Sequence, residues 1–389
     1  MTSKKKLLII TSRFPYPLEK GDKLRAFYQI KELSEHFNIE LISLTEHKID
    51  KKELQAVGQF CEAIHIFHFS AVEKWLGASL QFFTKKPFQV GYFHHLRIQR
   101  KIQRKLQEIA PDHIYCQLIR AAEYVKNYHK CPKTLDYMDA LSKGIERRAK
   151  KAKGITRWLF RSEFKRLMRY ENAIFEYFEH HTIISEQDRD YIFHKHRETI
   201  QVVVNGVDDY FMDYTPVQQP NLDIVFTGNM SYPPNITASK YITEKILPEL
   251  PPNTNVTLAG ANPSPEISAL ASDHVNITGF VADLRTVYTT AKIFVAPMFL
   301  GTGLQNKLLE AMALEVPCIT TSMANNALGA QPSEEILIAD DTDAFVQHIT
   351  YLLDNEEKRS ALSKRGKQFI REHYQWKQVT QKLIELIGV

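Results

Sequence analysis

The segment Pro297–Met312 holds the residues best suited to bind a charged ligand. A predicted strand ends at Pro297, a glycine-rich turn follows, and a helix is expected to begin near Leu304. Free amides at such a helix start favour a diphosphate, and Lys307 adds a positive charge. Glu310 lies nearly on the same helix face, where its carboxylate can accept hydrogen bonds from ribose hydroxyls. The residues expected to line this part of the site are Gly301, Thr302, Gly303, Leu304, Lys307 and Glu310.

Two other loops of the second half follow the ends of predicted strands. Gly228 and Asn229 place small residues and unpaired amides after one strand, and Phe280 and Val281 follow the strand Val275–Ile277. Ligands of parallel α/β sheets bind beyond the carboxyl ends of the strands. We therefore expect both loops to contact the same ligand, with the backbone near Phe280 and Val281 facing a base edge.

The first half offers a second set of polar residues at strand ends. Gly21, a candidate for donor binding, opens a predicted helix, where it either admits a ligand close to the backbone or serves as an ordinary helix start. Asp139 follows a predicted strand and either accepts a proton from an acceptor hydroxyl or caps the next helix. The candidates for binding the acceptor are Arg13, Gln117 and Arg120.

The elements that must position these residues alternate along the whole chain. Short apolar runs such as Leu7–Ile10 and Ile224–Phe226 predict buried strands, and helical spacing follows each of them. Strands separated by helices predict parallel sheets that are covered on both faces. We therefore predict an α/β fold with two doubly wound parallel-sheet domains facing a cleft, residues 1–204 and 205–389, with C-terminal helices. The last helix, beginning at Trp376, is expected to pack back on the first domain.

Composition excludes several classes of protein. The 389 residues are 44% hydrophobic and 24% charged, as in globular proteins, which excludes disorder, collagen and coiled-coil rods. The net charge of +5 is too small to imply that the protein binds nucleic acid. Four scattered cysteines without a Cys-x-x-Cys pair suit a reducing cytosol. Polar residues interrupt the first apolar run, and no run approaches about 18 apolar residues, so we expect a cytoplasmic protein.

The stretch from Lys143 to Arg169 is strongly basic. It holds eleven Lys or Arg residues against Glu146 and Glu163, and Trp158 interrupts the charges. Such a stretch is either a surface helix packed on its own domain or a peripheral contact with an anionic membrane, here the inner face of the plasma membrane. The basic residues are not accompanied by an aromatic-rich surface that could contact bases, so we do not expect nucleic acid as a partner.

Gly301–Ile319 resembles the donor-site signature of family 4 glycosyltransferases with the GT-B fold. In that family a glycine-rich turn and Glu-Ala-Met-Ala precede Gly-x-Pro and a strand. Further matches are Asn205–Asp208, Gly279–Val281 and the Trp376 helix. Two other segments, Gly228–Asn235 and Arg13–Arg25, resemble sugar transferases of exopolysaccharide clusters.

The resemblance implies a retaining, hexosyltransferase-like and metal-independent enzyme with a front-face mechanism. It would move a sugar from a UDP- or GDP-linked donor to a hydroxyl of a glycan or lipid-linked glycan in polysaccharide biosynthesis. The nucleotide sugar is a substrate, so no cofactor is expected. The catalytic residues would be Asp139, Lys307 and Glu310. The alternatives are a nucleotide-sugar epimerase with the same fold and a catalytically degenerate protein that binds glycans or nucleotides.

The sequence departs from the family pattern at two places. Thr302 stands where the signature has its first glutamate, so its hydroxyl or backbone amides would bind the donor sugar. The family's basic pair is absent around Gly228–Tyr232, so Lys307 would carry more of the diphosphate charge. Asp188–Asp190 matches the Asp-x-Asp metal motif of the other glycosyltransferase fold only by chance. No His or acidic spacing suits a metal, and none is expected.

Overall fold

The computed structural model describes residues 4–81, 84–216, 220–300 and 303–388. The chain divides into two compact units. The first takes the chain up to Val204 together with the segment from Val379 onward, and the second is Asn205–Gln378. The predicted site residues Gly301 and Thr302 lie outside the described residues.

The described part of the first unit contains a seven-stranded parallel sheet of order β3-β2-β1-β4-β5-β6-β7. The strand β1 pairs with β2 on one side and with β4 on the other, so the strand order reverses there. The strands are β1 (Lys6–Thr11), β2 (Asn38–Thr45), β3 (Ala63–His68), β4 (His113–Gln117), β5 (Lys133–Asp136), β6 (His180–Ile183) and β7 (Gln201–Val202).

Successive side chains of these strands point to opposite faces of the sheet. Apolar side chains on both faces are buried, and helices cover both of them. Leu8 of β1 belongs to one buried cluster, and Leu7 belongs to another that includes Leu383 and Ile387 of the last helix. The helices of the first half are α1 (Gly21–Ser34), α2 (Lys51–Gly58), α3 (Ala71–Leu80), α4 (Phe88–Phe93), α5 (Leu96–Ile109), α6 (Leu141–Lys151), α7 (Gly154–Phe175) and α8 (Glu186–Tyr191).

The second unit has, over its described residues, a six-stranded parallel sheet of order β10-β9-β8-β11-β12-β13. Its first strand in the chain, β8, lies between β9 and β11, which makes this the position where the strand order reverses. The strands are β8 (Leu222–Thr227), β9 (Val256–Ala259), β10 (Val275–Gly279), β11 (Ala291–Ala296), β12 (Cys318–Thr320) and β13 (Leu337–Ile338).

The helices of the second half separate these strands and lead to the end of the chain. They are α9 (Asp209–Met212), α10 (Pro233–Tyr241), α11 (Pro265–Ser268), α12 (Leu284–Thr289), α13 (Asn306–Ala313), α14 (Ser322–Leu328), α15 (Thr342–Asp354), α16 (Glu356–His373) and α17 (Trp376–Gly388). The predicted α/β fold with parallel sheets is confirmed.

The motif at Asn205–Asp208 is tied to the start of α17. The amide of Val207 donates to the Tyr374 carbonyl at 2.6 Å. A Cβ atom on Gly206 would lie 2.7 Å from the backbone nitrogen of Trp376, so only glycine permits this close approach. The motif therefore fixes the direction in which α17 begins.

Candidate functional site

The carboxyl edge of the second sheet is built from glycines that bring neighbouring backbones close together. The Gly228 amide donates to the Ala259 carbonyl at 3.0 Å, and the Gly260 amide donates to the Gly279 carbonyl at 3.0 Å. A Cβ atom on Gly260 would lie 1.8 Å from the Gly228 carbonyl oxygen, so no other residue fits there without a backbone shift. The strand ends therefore present bare backbone where ligands of such sheets bind.

Lys307 lies at this edge, in the first turn of α13. The helix begins at Asn306 rather than near Leu304 as predicted. The Lys307 ammonium donates to Asn235 Oδ1 at 2.5 Å and lies 4.4 Å from the centre of the Phe226 ring. A Cβ atom on Gly228 would be 3.1 Å from Lys307 Nζ. The Lys307 ammonium is therefore held beside the Gly228 backbone that follows β8.

Glu310 is oriented by a buried tyrosine that the sequence did not single out. The Tyr288 hydroxyl donates to Glu310 Oε2 at 2.8 Å and lies 2.5 Å from Thr227 Oγ1. Because Tyr288 gives its proton to the carboxylate, Thr227 donates to Tyr288. This chain of hydrogen bonds connects the end of β8 to α13 and fixes one carboxylate oxygen of Glu310.

The electrostatic state of the two α13 residues depends on their partial burial. Desolvation lowers the pKa of the Lys307 ammonium to about 7, and the Glu310 carboxylate opposes this shift. Desolvation raises the pKa of Glu310 to about 7, against the effects of the Tyr288 hydrogen bond and the Lys307 charge. Each residue therefore stabilises the charged form of the other.

The other predicted donor-side residues lie in loops near this edge. The Asn229 carbonyl accepts from Asn235 Nδ2 at 2.9 Å, so one asparagine connects this loop to Lys307. Phe280 follows Gly279 (φ 66°) and is 76% exposed, and Val281 is half-buried. Gly303 has a φ of 84°, and Gly303 and Leu304 are partly exposed before α13.

The first unit brings its predicted acceptor-side residues to the start of α1. Arg13 Nη1 pairs with Asp22 Oδ2 at 2.6 Å, and Gln117 Nε2 donates to the Asp22 carbonyl at 2.8 Å. Gly21 is the first residue of α1, and a Cβ atom there would lie 3.3 Å from Met138 Cε. The carboxyl ends of β1, β4 and β5 therefore meet at this helix start.

Arg120 and Arg13 approach the same aromatic ring. Each guanidinium carbon lies 5.6 Å from the centre of Phe93. Arg120 donates to Gln89 Oε1 at 2.7 Å, whereas its buried Nε has no hydrogen-bond partner. Desolvation, followed by the charge of Arg13, lowers the pKa of Arg120. A bound anion or polar acceptor group could accept a hydrogen bond from the Arg120 Nε, and an anion would also counter the lowering of the Arg120 pKa.

Asp139 does not cap α6. The first amides at that helix start donate to other carboxylates, Ala140 to Asp188 Oδ1 at 3.4 Å and Ser142 to Glu171 Oε1 at 2.9 Å. Desolvation, followed by the nearby Asp188, raises the pKa of Asp139 to about 6, although Asp139 remains accessible at the surface. An accessible carboxylate with a raised pKa is suited to accept a proton.

The described residues contain neither a group of side chains placed to hold a metal ion nor a helix able to cross a membrane. Within residues 4–81, 84–216, 220–300 and 303–388, no three His, Cys, Asp or Glu side chains are grouped to hold a metal ion. Asp188 of the Asp188–Asp190 triplet is buried and accepts a hydrogen bond from Ser185 at 2.6 Å. None of the described helices combines the length and the hydropathy needed to cross a membrane.

Comparison with known proteins adds to this geometry. Residues 221–355 match the sequence model of a family described as glycosyl transferases group 1. A protein of Klebsiella pneumoniae, described as an uncharacterized 44.6 kDa protein in cps region, is 22% identical over 407 residues, which cover 96% of this chain and 97% of that protein.

Two solved structures share the fold over nearly the whole chain. Sucrose-phosphate synthase of Thermosynechococcus elongatus has 13% identity and a TM-score of 0.70, with 98% of each chain covered. HepE of Anabaena, solved in complex with UDP and glucose, has 13% identity and a TM-score of 0.70, with 99% of each chain covered.

Proposed function

We propose that this chain is a family 4 glycosyltransferase with the GT-B fold and that it transfers a sugar from a UDP- or GDP-linked donor to a hydroxyl of a glycan or lipid-linked glycan. One observation carries the proposal: α13 holds Lys307 and Glu310 beside the bare backbone of Gly228. The HepE complex with UDP and glucose supports the donor class, and the relative from a cps region supports a role in polysaccharide biosynthesis.

Each donor-side residue has a distinct role in this proposal. The diphosphate would lie at the start of α13, where free amides and Lys307 offset its charge. Glu310 would accept hydrogen bonds from the ribose hydroxyls, and the backbone near Phe280 and Val281 would contact the base. The donor sugar would bind through the Thr302 hydroxyl or through the amides of its neighbours Gly301 and Gly303.

The lowered pKa of Lys307 makes donor binding a protonation event. With a pKa of about 7, part of the Lys307 population is neutral at neutral pH. A diphosphate placed beside it favours the ammonium form and raises that pKa. Donor binding would therefore be accompanied by proton uptake at Lys307.

Transfer would proceed with retention by a front-face mechanism and without a metal ion. Negative charge develops on the leaving diphosphate as the glycosidic bond breaks, and the fixed charge of Lys307 and the helix amides stabilise that state. Asp139 would accept the proton of the attacking hydroxyl, while Arg13, Gln117 and Arg120 would bind the acceptor. The anomeric configuration of the product tests retention.

Glu310→Gln is expected to weaken donor binding by roughly ten- to a hundredfold, because a hydrogen bond to a charged acceptor contributes about 1.5–3 kcal/mol. Donor titration by calorimetry measures this change. The matched control is Glu315→Gln, which alters a more exposed carboxylate paired with Lys367 at 3.5 Å. Equal donor affinity in the two variants would contradict the ribose assignment.

Product analysis separates transfer from the alternatives. With a glycan acceptor present, the proposed enzyme consumes the nucleotide sugar and releases the nucleotide. An epimerase would convert the donor without an acceptor, and a degenerate binding protein would leave the donor intact. Donor conversion that does not depend on acceptor would reject the proposal.

We also propose that the basic stretch brings this cytoplasmic enzyme to the inner face of the plasma membrane. Replacing Arg147, Arg148, Lys150 and Lys151 by Gln is expected to reduce sedimentation with anionic vesicles at low salt, because each cation near the surface contributes about 1 kcal/mol. The control replaces four exposed cations of the second unit, Lys358, Lys364, Arg365 and Lys377. Equal sedimentation of both variants, or none by the wild type, would contradict this proposal.

A further inference from the structure

The helix α3 presents an apolar face to solvent. Val72, Trp75 and Leu76 are 68%, 67% and 56% exposed, and their spacing puts them on one side of the helix. Exposed apolar side chains grouped in this way mark an interaction surface more often than a free one. The residues lining the shallow groove on this face are Ala71, Val72, Trp75, Leu76 and Ser79, none of them charged.

The opposite side of α3 is firmly attached to the first unit. Gly77 packs so closely that a Cβ atom would lie 2.3 Å from the Gly91 carbonyl oxygen. Lys74 pairs with Glu46 at 2.7 Å, and Ser70 and Glu73 form a capping box at the helix start. The apolar face is therefore a fixed surface rather than the underside of a poorly packed helix.

The basic helix α7 adjoins the end of α3. Arg166 Nη1 donates to the carbonyls of Gln81 and Lys86, at 2.7 Å and 2.9 Å, and Glu163 accepts from the Phe88 amide at 2.8 Å. These contacts attach α7 to Gln81, directly after α3, and to the residues at the start of α4.

The exposed side of α7 combines cations with a second tryptophan. Trp158 is 60% exposed there. Four exposed cations recur at four-residue spacing, from the N-cap residue of α7 into the helix, and within the described ranges none of them has an ion-pair partner: Lys153, Arg157, Arg161 and Lys165. The exposed cations of α7 complement anionic headgroups, and the apolar face of α3 complements the hydrocarbon beneath such headgroups.

We infer that α3 enters the interface of an anionic lipid bilayer, with Val72, Trp75 and Leu76 below the headgroups and the α7 cations against them. The inference rests on the membrane contact proposed above and names the segment that supplies its apolar part. Trp75 suits this location, since its ring is apolar and its indole N–H can reach the polar headgroup level.

The test compares two double variants in sedimentation with vesicles of phosphatidylglycerol and phosphatidylcholine in equal parts. Trp75→Ser/Leu76→Ser is expected to lower the partition coefficient at least about tenfold, because two large apolar side chains no longer leave water. The loss should remain at high salt, where the contribution of the cations is screened. The matched control Leu54→Ser/Tyr351→Ser removes an exposed aliphatic and an exposed aromatic side chain elsewhere and should partition like the wild type.

A second measurement keeps the inference testable if the first variant folds poorly. In a Trp158→Phe background, vesicles with brominated acyl chains should quench Trp75 emission, while Trp376 is buried and stays unquenched. Equal partition of the two double variants, or no quenching, would overturn the inference. So would a self-associated wild type that Trp75→Ser/Leu76→Ser makes monomeric without changing vesicle binding, which would assign the face to a second copy.

Donor titration separates this inference from the proposed function. The Trp75→Ser/Leu76→Ser variant should bind the nucleotide sugar with wild-type affinity, because α3 belongs to the first unit and the donor residues belong to the second. A wild type that binds no nucleotide sugar but partitions through α3 would contradict only the transferase proposal.

Discussion

Lys307→Ala is expected to lower kcat as well as donor affinity. The ammonium interacts with a diphosphate that is anionic in the ground state and gains charge as the glycosidic bond breaks, so its stabilising effect is larger in the transition state. Losing one such fixed group costs about 2.7–4 kcal/mol, or roughly a hundred- to a thousandfold in turnover. Steady-state kinetics with a saturating acceptor measure the change.

The control for Lys307 is Lys292→Ala in the same unit. Lys292 pairs with Asp223 at 2.8 Å near the start of β8, away from its carboxyl end, and its loss should leave turnover near the wild-type value. Donor binding and transfer by Lys307→Ala at wild-type levels would show that Lys307 is a structural lysine held by Asn235 and Phe226. The diphosphate would then lie elsewhere.

Arg25→Ala is expected to lower the free energy of unfolding of the first unit by about 3–5 kcal/mol, because it leaves a carboxylate buried without its cation. Arg25 and Asp136 are both fully buried. The guanidinium donates to the two Asp136 oxygens at 2.7 Å and 3.1 Å and to the Val203 carbonyl at 2.8 Å. The Arg25 side chain therefore connects α1 to β5 and to Val203, the residue directly after β7.

Urea unfolding measures the effect of Arg25→Ala, with Lys105→Ala as the control. Lys105 forms an exposed pair with Glu108 at 2.6 Å, and such pairs contribute less than about 1 kcal/mol. If the two variants lose similar stability, the buried pair does not hold α1 on the sheet.

The strands at Leu7–Ile10, Ile224–Phe226 and Val275–Ile277 and the helix α13 could be predicted because their signals are local. Apolar runs and glycine-rich turns determine strand ends, and Lys307 and Glu310 follow from their spacing within one helix. Asp139 is predicted to follow a strand, whereas β5 already ends at Asp136 and Met138 adopts a φ of 63°. The sequence does not indicate that this methionine adopts a left-handed backbone conformation.

Contacts between residues distant in sequence could not be predicted in this way. Tyr288 and Asn235 have the residue types of an ordinary core tyrosine and a helix asparagine, yet they hold Glu310 and Lys307. Glu171 accepts a hydrogen bond from the amide of Ser142 at the start of α6, and the two residues are 29 positions apart. The apolar side chains of α3 would be assigned to the core from sequence, since hydropathy does not reveal which face remains uncovered.

Thermal stabilisation by nucleotide sugars tests the central claim, that the end of β8 and the start of α13 bind a nucleotide-sugar diphosphate. A ligand at about 100 times its Kd adds about 2.7 kcal/mol to the stability of the unit that binds it. With a panel of UDP- and GDP-sugars, we predict that at least one raises the Tm of the wild type, and that the shift is strongly reduced in Lys307→Ala. No shift with any donor, or an equal shift in the variant, would contradict the claim.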